Sequence, residues 1–152
     1  MSQHVFHEIY LHFNWHTKLS QPLLDTDLEQ KVHKYLKQRC ISAKGVYFHG
    51  VGGTETHIHL AINIEPQVCI SDLVGELKGG SSFEMNKQAN RKLLEWQRGF
   101  GVVSFGKKQL GWVLDYIGRQ KEHHRTGKVF DRLERFDSEE ETYPKDPGVA
   151  KA

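Results

Sequence analysis

The sequence predicts an α+β protein built on an antiparallel sheet with helices on one face. Three observations support this prediction: stretches in which apolar and polar residues alternate, longer stretches with apolar residues at helical spacing, and the order of the two kinds. That order is strand, helix, strand, strand, helix, strand, followed by an added helix. Two strand–helix–strand halves that split around a hairpin are typical of a ferredoxin-like fold. A chain of 152 residues is long enough to form one such domain with a substantial core.

The first strand and the first helix come from the opening part of the chain. The strand is predicted over Val5 to Trp15, where the odd-numbered residues are the more apolar set. The helix is predicted from about Asp27 to Ser42, with Asp25 or Thr26 as its N-cap. Apolar residues of this helix fall roughly on one face: Leu28, Val32, Tyr35, Leu36 and Ile41.

A hairpin follows, and its second strand contains a pair of histidines. Strands are predicted over Gly45 to Gly52 and Thr54 to Ile64, with Gly52-Gly53 as the turn. In the second of these strands His57 and His59 point to the face opposite the aliphatic residues. Side chains two residues apart lie about 7 Å apart along a strand, so the two imidazoles could share one metal ion. Taken alone, such a pair is more often two polar residues on a solvated face.

The second helix is predicted from Val68 to about Gln88, and a glycine pair interrupts it. Gly79-Gly80 weakens a helix by about 1 kcal/mol per residue. Two interpretations stay open: a kinked helix, or a close backbone approach to a phosphate helped by Lys78 and the neighbouring serine hydroxyls.

The last part of the ordered chain contains a tyrosine and a glutamine at helical spacing. A short strand over Val102 to Phe105 leads into a third helix from Lys107 to about His123. Tyr116 and Gln120 are four residues apart on this helix, so they share a face and can reach one small site. Taken alone, a tyrosine such as Tyr116 is more often a packing aromatic than a nucleophile. We predict one domain over residues 1–136 and a flexible tail over 137–152, which is acidic and then proline-rich.

Composition excludes some classes of protein and leaves others open. The formal charge of +2 and the pI near 8.5 are mildly basic and do not by themselves indicate a nucleic-acid partner. Cys40 and Cys69 have neither metal-ligand spacing nor a disulfide framework, which indicates reduced thiols. No stretch approaches the roughly 18 apolar residues of a membrane span, and no apolar leader follows Met1. We therefore expect a soluble cytoplasmic protein without a membrane partner.

The order of the polar motifs resembles a known family. His57-Ile58-His59 on a strand, then Tyr116-Ile117-x-x-Gln120, then Glu122-His123-His124-Arg125 resembles the single-tyrosine HUH transposases. This family includes the insertion-sequence transposases and the REP-associated tyrosine transposases. The segments 71–82 and 96–101 also look like the helix after the histidine strand and the approach to the next strand. The resemblance extends from about Tyr10 to Arg135, and the chain is short, which is nearer to the compact insertion-sequence type.

This resemblance implies a DNA transposase that cleaves and rejoins single-stranded DNA with hairpin-containing ends. It implies that His57, His59 and Gln120 bind a divalent metal and that Tyr116 attacks a DNA phosphodiester, giving a 5′-phosphotyrosine and a free 3′-OH. Two imidazoles and one amide oxygen suit Mg²⁺ or Mn²⁺, although imidazole also favours Zn²⁺ and Ni²⁺. Candidate phosphate contacts are the basic residues Lys78, Arg91, Lys92, Arg98, Lys107, Lys108, Arg119 and Arg125.

The resemblance also implies a homodimer with its active site shared between subunits; the alternative is a monomer with the site held within one chain, in which Gly106 is only a helix-start turn. Gly106 lies between the last strand and the tyrosine helix and could act as the joint that lets the helix dock on either sheet. Two other functions stay open. One is a non-catalytic nucleic-acid-binding domain of ferredoxin-like fold that stacks bases on Tyr47 and Phe48. The other is a metal-dependent enzyme acting on a small molecule, which would need a concave apolar pocket.

Overall fold

The computed structural model describes residues 4–136, and these form a four-stranded antiparallel sheet with helices packed on it. The strands are β1 (Ile9–His16), β2 (Val46–Gly53), β3 (His57–Ile64) and β4 (Gly101–Phe105). The helices are α1 (Thr26–Ser42), α2 (Ile70–Ala89), α3 (Leu110–Gly118), α4 (Gln120–Thr126) and α5 (Asp131–Glu134), with short 3₁₀ turns at Lys18–Ser20 and Lys107–Gln109. The strand order β2-β3-β1-β4 with βαββαβ connections is the ferredoxin-like arrangement, so the predicted fold class is confirmed.

The main core lies between the sheet and helices α1 and α2. Phe13 and Trp15 of β1 and Ile58 and Leu60 of β3 are fully buried in it, because alternate residues of each strand face these helices. Helix α1 begins where the Asp25 carboxylate accepts a hydrogen bond from the Leu28 amide at 2.9 Å. The even and odd alternation seen in the sequence therefore defines which side of the sheet is the core.

Helix α3 packs on the opposite face of the sheet, where it covers the strand residues that alternate with those of the main core. Val113 and Ile117 of α3 are buried against Ala61 of β3 and Phe105 of β4. A Cβ at Gly52 would lie 2.4 Å from the Ile117 carbonyl oxygen, so glycine permits β2 to approach the end of α3. This close approach places the tyrosine-bearing end of α3 directly over the histidine strand.

Several predicted boundaries are wrong in detail. β1 begins at Ile9 rather than Val5, and Gly52-Gly53 belong to β2, so the hairpin turn lies at residues 54–56. The predicted third helix is not continuous: a 3₁₀ turn precedes α3, and a break at Arg119 (φ −115°, ψ 29°) separates α3 from α4. Hydrophobic spacing did not show this break because the apolar residues of the predicted helix all lie in α3, and α4 has none to mark where it begins.

The glycine pair does not interrupt α2, which runs unbroken from Ile70 to Ala89. A Cβ at Gly80 would lie 2.2 Å from the Tyr35 hydroxyl, whereas one at Gly79 would meet nothing within 4 Å. Gly80 therefore serves the close packing of α1 on α2, which is a different reason from either of the two predicted. The predicted flexible tail over 137–152 lies outside the described residues, and within 4–136 no helix has both the length and the apolarity of a membrane span.

Candidate active site

The two histidines of β3 lie side by side under α3, not on a solvated face. His57 and His59 are 2% and 0% exposed, and their ring centroids are 4.9 Å apart. Strand β1 adds polar residues to the same face, because Asn14 pairs with His59 and His16 pairs with His57 across the sheet. The interpretation as two polar residues on a wet surface is therefore wrong, and so many buried polar groups in one place indicate a functional site.

Hydrogen bonds fix the orientation of both imidazoles. Nδ1 of His57 lies 3.0 Å from the hydroxyls of Thr54 and Thr56, and Nδ1 of His59 lies 2.8 Å from Nε2 of His12. These contacts engage one ring nitrogen of each histidine and direct the Nε2 atoms toward the space under α3. Nε2 of His59 is buried there without a hydrogen bond, which is the arrangement expected of a metal ligand.

The break between α3 and α4 brings Gln120 to the histidines. Gln120 is 1% exposed; its amide nitrogen donates to the Tyr116 carbonyl at 3.2 Å, and its Oε1 lies 3.3 Å from Nε2 of His57. Lys121 donates to the buried carboxylate of Glu29 at 2.6 Å, which ties α4 to α1 and holds Gln120 in place. Tyr116 and Gln120 thus reach one site, as their spacing predicted, although they lie on two helices.

Tyr116 is the last buried aromatic of α3 and packs against the histidine pair. It is 4% exposed, and its ring meets His59 edge-on at 6.0 Å between centroids. Its hydroxyl accepts a hydrogen bond from the Phe130 amide at 2.8 Å and donates one to the Glu134 carboxylate. Burial, reinforced by the bond to Glu134, raises the pKa of Tyr116 to about 12. The phenol is therefore protonated at neutral pH in this arrangement.

Glu134 and His124 belong to the site, and the sequence did not identify either as a ligand. One Glu134 oxygen, Oε1, lies 3.3 Å from Nε2 of His59, 3.4 Å from Nε2 of His124 and 3.5 Å from Nε2 of His57. Burial alone would raise the pKa of Glu134, but the neighbouring His59 imidazole and the hydrogen bond from the Tyr116 hydroxyl outweigh it and lower the pKa to about 2. His124 lies in the quoted Glu122–Arg125 motif, so a signal existed, whereas no periodicity or motif marks Glu134.

These side chains fit a divalent cation. The donor atoms of His57, His59, His124 and Glu134 all lie within 4.8 Å of one another. Ligands about 2.1 Å from a common ion lie about 3–4 Å apart, and the three distances from Glu134 Oε1 to the histidine nitrogens, 3.3–3.5 Å, fall in that range. Burial lowers the pKa of His57 to about 3, so its imidazole is neutral at pH 7, as a ligand must be.

The residues predicted to contact phosphates do not lie together on one surface. Lys78 is engaged inside the protein, because its ammonium donates to the carbonyls of Gln97 and Gly99 at 2.7 and 2.8 Å. Burial lowers its pKa to about 8. Arg119 forms ion pairs with Asp115 and Glu122, and Lys92 pairs with Glu95. The remaining predicted residues are exposed at three places, after α2, before α3 and in α4: Arg91, Arg98, Lys107, Lys108 and Arg125.

Comparison with known proteins identifies the family of this chain. A family model described as "Transposase IS200 like" matches residues 5–120. Over 80 residues the chain is 34% identical to the transposase for insertion sequence element IS200 from Salmonella typhimurium, and equally to that from Salmonella typhi. The match covers 47% of this chain and 51% of each relative, so the chain spans about half the length of the curated relatives it matches.

Two solved structures share the fold. A candidate transposase from Deinococcus radiodurans R1 gives a TM-score of 0.61 at 21% identity, over 79% of this chain and 96% of that one. A REP-associated tyrosine transposase bound to a REP hairpin gives a TM-score of 0.57 at 17% identity, over 85% of this chain and 76% of that one. At these identities the likeness shows the fold alone. Because the family model matches well over half of the sequence, this chain belongs to the IS200-like transposase family.

Proposed function

We propose that this protein cleaves and rejoins single-stranded DNA through a 5′-phosphotyrosine on Tyr116, with a divalent metal held by His57, His59 and Gln120. The observation that supports this most directly is geometric: a tyrosine hydroxyl, two imidazoles and an amide oxygen meet in one buried site of a single chain. Membership of the transposase family supports DNA as the substrate.

The proposed reaction exchanges one phosphodiester for another. The Tyr116 oxygen attacks phosphorus, the bond from phosphorus to the 3′ oxygen breaks, and a proton ends on the released 3′-OH while the phenol loses its own. A bound metal would act as a Lewis acid on the phosphate oxygens. His57 and His59 would hold it through neutral nitrogens, and Gln120 would add an oxygen. Because the phosphotyrosine bond keeps the energy of the original linkage, rejoining needs no nucleotide cofactor.

The direct test is formation of a covalent adduct. We expect labelled single-stranded DNA carrying a hairpin to form a protein-linked product on a denaturing gel with Mg²⁺ or Mn²⁺, and Tyr116→Phe to form none. Tyr47→Phe is a matched control, because the Tyr47 hydroxyl also donates to a glutamate, Glu65, but on the surface. An adduct formed by Tyr116→Phe at the rate of the unaltered protein would show that another residue is the nucleophile.

The metal site has a test that does not depend on cleavage. Removing His57 or His59 deletes a nitrogen donor, so titration calorimetry with Mn²⁺ should show weak or no binding for either alanine variant and reduced affinity for Gln120→Ala. An Mn²⁺ affinity unchanged in His57→Ala would contradict the proposed ligand set. The proposed metal is Mg²⁺ or Mn²⁺. Adduct formation measured with each ion in turn shows which of the two supports cleavage better.

The proposed partner is single-stranded DNA with hairpin ends. The solved relative bound to a REP hairpin supports this, since it has the same fold. The exposed cations at Lys107, Lys108 and Arg125 would contact phosphates, so binding should weaken steeply as salt rises. Equal affinity for blunt random duplex would contradict a preference for single strands. A cytoplasmic location is part of the same proposal, because the proposed substrate is DNA.

We propose that the protein is a homodimer. The positions of Tyr116 and His59 show which parts of the site two subunits could share. Tyr116 lies against His59 of its own chain, so both parts of the site are available in one subunit. β2 and β4 are the edges of the sheet, where two copies could pair. We expect a mass about twice 17.6 kDa in light scattering. Mixing Tyr116→Phe chains with His57→Ala chains should restore no cleavage if each site is held in one chain, whereas recovery would show exchange of α3 between subunits.

A further inference from the structure

Two exposed aromatic rings lie next to the proposed nucleophile. Trp112 is 51% exposed and Phe130 is 43% exposed. The indole of Trp112 stacks on the ring of Tyr116, with centroids 5.7 Å and planes 17° apart. The Phe130 ring meets the indole nearly at right angles, with centroids 5.0 Å apart. We call the rings of Trp112 and Phe130 the aromatic corner, since they form two nearly perpendicular walls that are each about half open to solvent.

Packing alone does not account for a tryptophan at position 112. Trp15 is fully buried, and the indole nitrogen of Trp96 donates to the Ser81 hydroxyl at 2.9 Å. Trp112, in contrast, belongs to neither hydrophobic core. Two large rings side by side at the surface leave apolar area in contact with water, and such patches typically mark binding sites. The aromatic corner is therefore a candidate binding surface.

The aromatic corner is continuous with the proposed nucleophile. The Phe130 amide donates to the Tyr116 hydroxyl at 2.8 Å, so the residue that forms one wall also touches the attacking oxygen. Trp112 precedes Tyr116 by four residues, which is a step of about 6 Å along one face of the helix. A nucleotide spans a similar distance from its phosphate to its base. A strand whose phosphate reaches Tyr116 therefore brings a neighbouring base to the corner.

The charges around the aromatic corner suit a DNA strand. Lys107 and Lys108 are exposed in the 3₁₀ turn that leads into α3, and Lys108 is four residues before Trp112. The only acidic residue of α3, Asp115, is paired with Arg119 at 3.5 Å. Cations that follow the backbone, together with a ring that stacks on a base, are the combination by which many proteins hold single strands.

We propose that the aromatic corner binds an unpaired base, stacked on the indole of Trp112, from the nucleotide next to the scissile phosphate. A base inside a duplex is already stacked and paired, so only a single strand can present one to the corner. The corner then selects unpaired DNA at the point of cleavage, whereas the lysines contact any DNA backbone. This inference rests on the proposed function for the position of the cut, but the stacking itself is measurable without cleavage.

Two substitutions and one control isolate the indole. Trp112→Ala removes the stacking surface, and Trp112→Phe keeps a smaller ring at the same place. Phe83→Ala is the matched control, because Phe83 is an aromatic residue, 67% exposed, on α2 at the other face of the sheet. Both positions are exposed, so each variant should keep the fold.

The first measurement is DNA affinity by fluorescence anisotropy, with a labelled random-sequence pool of single-stranded DNA and with an abasic oligonucleotide of the same length. We expect Trp112→Ala to bind the pool about tenfold more weakly than the unaltered protein, Trp112→Phe to lose less, and Phe83→Ala to lose nothing. Affinity for the abasic oligonucleotide, which has the same phosphates and no bases, should be equal in all four proteins. An equal loss for both DNAs overturns the proposal, because Trp112 would then act only by supporting the site. No loss for either DNA overturns it as well.

The second measurement is tryptophan emission during titration with the unlabelled pool. The pool should quench the emission of the unaltered protein but not that of Trp112→Phe, because Trp15 and Trp96 lie in or against the main core. Unchanged quenching in Trp112→Phe contradicts stacking on Trp112. A fall from dimer to monomer mass in Trp112→Ala, by light scattering, contradicts the proposal too, because the corner would then be part of a subunit interface.

The position of the base is tested on DNA that forms adducts on Tyr116. An abasic residue on one side of the cut should slow adduct formation by the unaltered protein and have no effect on Trp112→Ala. Adducts whose rate is insensitive to abasic residues on both sides, or a slowing that persists in Trp112→Ala, overturn the corner alone. Base-dependent affinity and quenching without any adduct support the corner and overturn the proposed chemistry alone.

Discussion

Replacing Tyr116 with phenylalanine removes a single oxygen from the centre of the site, and the structure gives the size of its structural cost. That oxygen accepts from the Phe130 amide and donates to the Glu134 carboxylate. A neutral hydrogen bond contributes about 1 kcal/mol to stability, and one to a charged group about 1.5–3 kcal/mol. We expect the free energy of unfolding to fall by about 2 kcal/mol. The loss is no larger because Phe130 lies in a partly exposed segment, where its amide can bond to water instead.

A loss of this size is measurable by thermal unfolding. For a domain of this length, about 1 kcal/mol shifts the midpoint by about 2–4 °C, so Tyr116→Phe should melt about 4–8 °C lower than the unaltered protein. Tyr47→Phe deletes a hydroxyl that also donates to a glutamate, at 2.6 Å, but Tyr47 is 49% exposed. Its cost should stay below about 1 kcal/mol, because water replaces an exposed hydrogen bond.

The two readouts of Tyr116→Phe separate structure from chemistry. The midpoint reports the hydrogen bonds of the phenol, and the covalent adduct reports its role as a nucleophile. Equal midpoints for the Tyr116 and Tyr47 variants would refute the assignment of two partly buried hydrogen bonds to this oxygen. A lowered midpoint with adduct formation intact would confirm the packing and refute the nucleophile.

Three further predictions follow from contacts around the site and core. His12→Ala, which removes the partner of His59 Nδ1 at 2.8 Å, should weaken Mn²⁺ binding about 10–100-fold by calorimetry, whereas His49→Ala on the same sheet should not. The metal-free protein should lose stability as pH falls below about 6.5, because burial lowers the pKa values of His12 and His57 to about 3 and of His16 to about 4, so the unfolded chain binds protons first. Three such histidines cost about 4 kcal/mol at pH 5.5, measurable by urea unfolding, and a flat profile from pH 7 to 5.5 would contradict neutral buried imidazoles. Gly80→Ala should destabilise the protein by about 1–3 kcal/mol, because its Cβ would lie 2.2 Å from the Tyr35 hydroxyl, while Gly79→Ala should stabilise it by about 1 kcal/mol; the same sign for both would refute the packing explanation.

The parts of the fold that sequence reasoning reached are those with a repeating physical signal. Alternation along 54–64 predicted both the strand and the face that His57 and His59 share, because side chains alternate across any strand. The spacing of Tyr116 and Gln120 predicted a shared site, and the backbone keeps them together even across the break at Arg119. These signals are local, so the sequence alone contains them.

The parts that sequence reasoning missed depend on contacts between distant segments. Glu134 lies in a four-residue helix with no periodicity. It enters the site because Asn14, on the first strand, bonds to the carbonyls of Leu133 and Arg135 on either side of it. Gly79 and Gly80 look alike in the sequence, and only the position of Tyr35 in the fold distinguishes them. Long-range packing decides both cases, and no window of the sequence shows it.

The hydrogen bonds from Asn14 of β1 to the carbonyls of Leu133 and Arg135 also bear on the order in which the chain folds. Asn14 and Leu133 are 119 residues apart in sequence, and Gln120 and His57 are 63 apart. Closing loops of this length is slow and follows the formation of local structure. Strands β1, β2 and β3 and the two helices that cover them can therefore form before Tyr116, Gln120 and Glu134 arrive, whereas β4, whose Phe105 pairs with Tyr10 of β1, belongs to the late contacts. The proposed active site is then completed by consecutive pieces of the same incoming segment, which leaves a newly folded chain little time with its Tyr116 exposed.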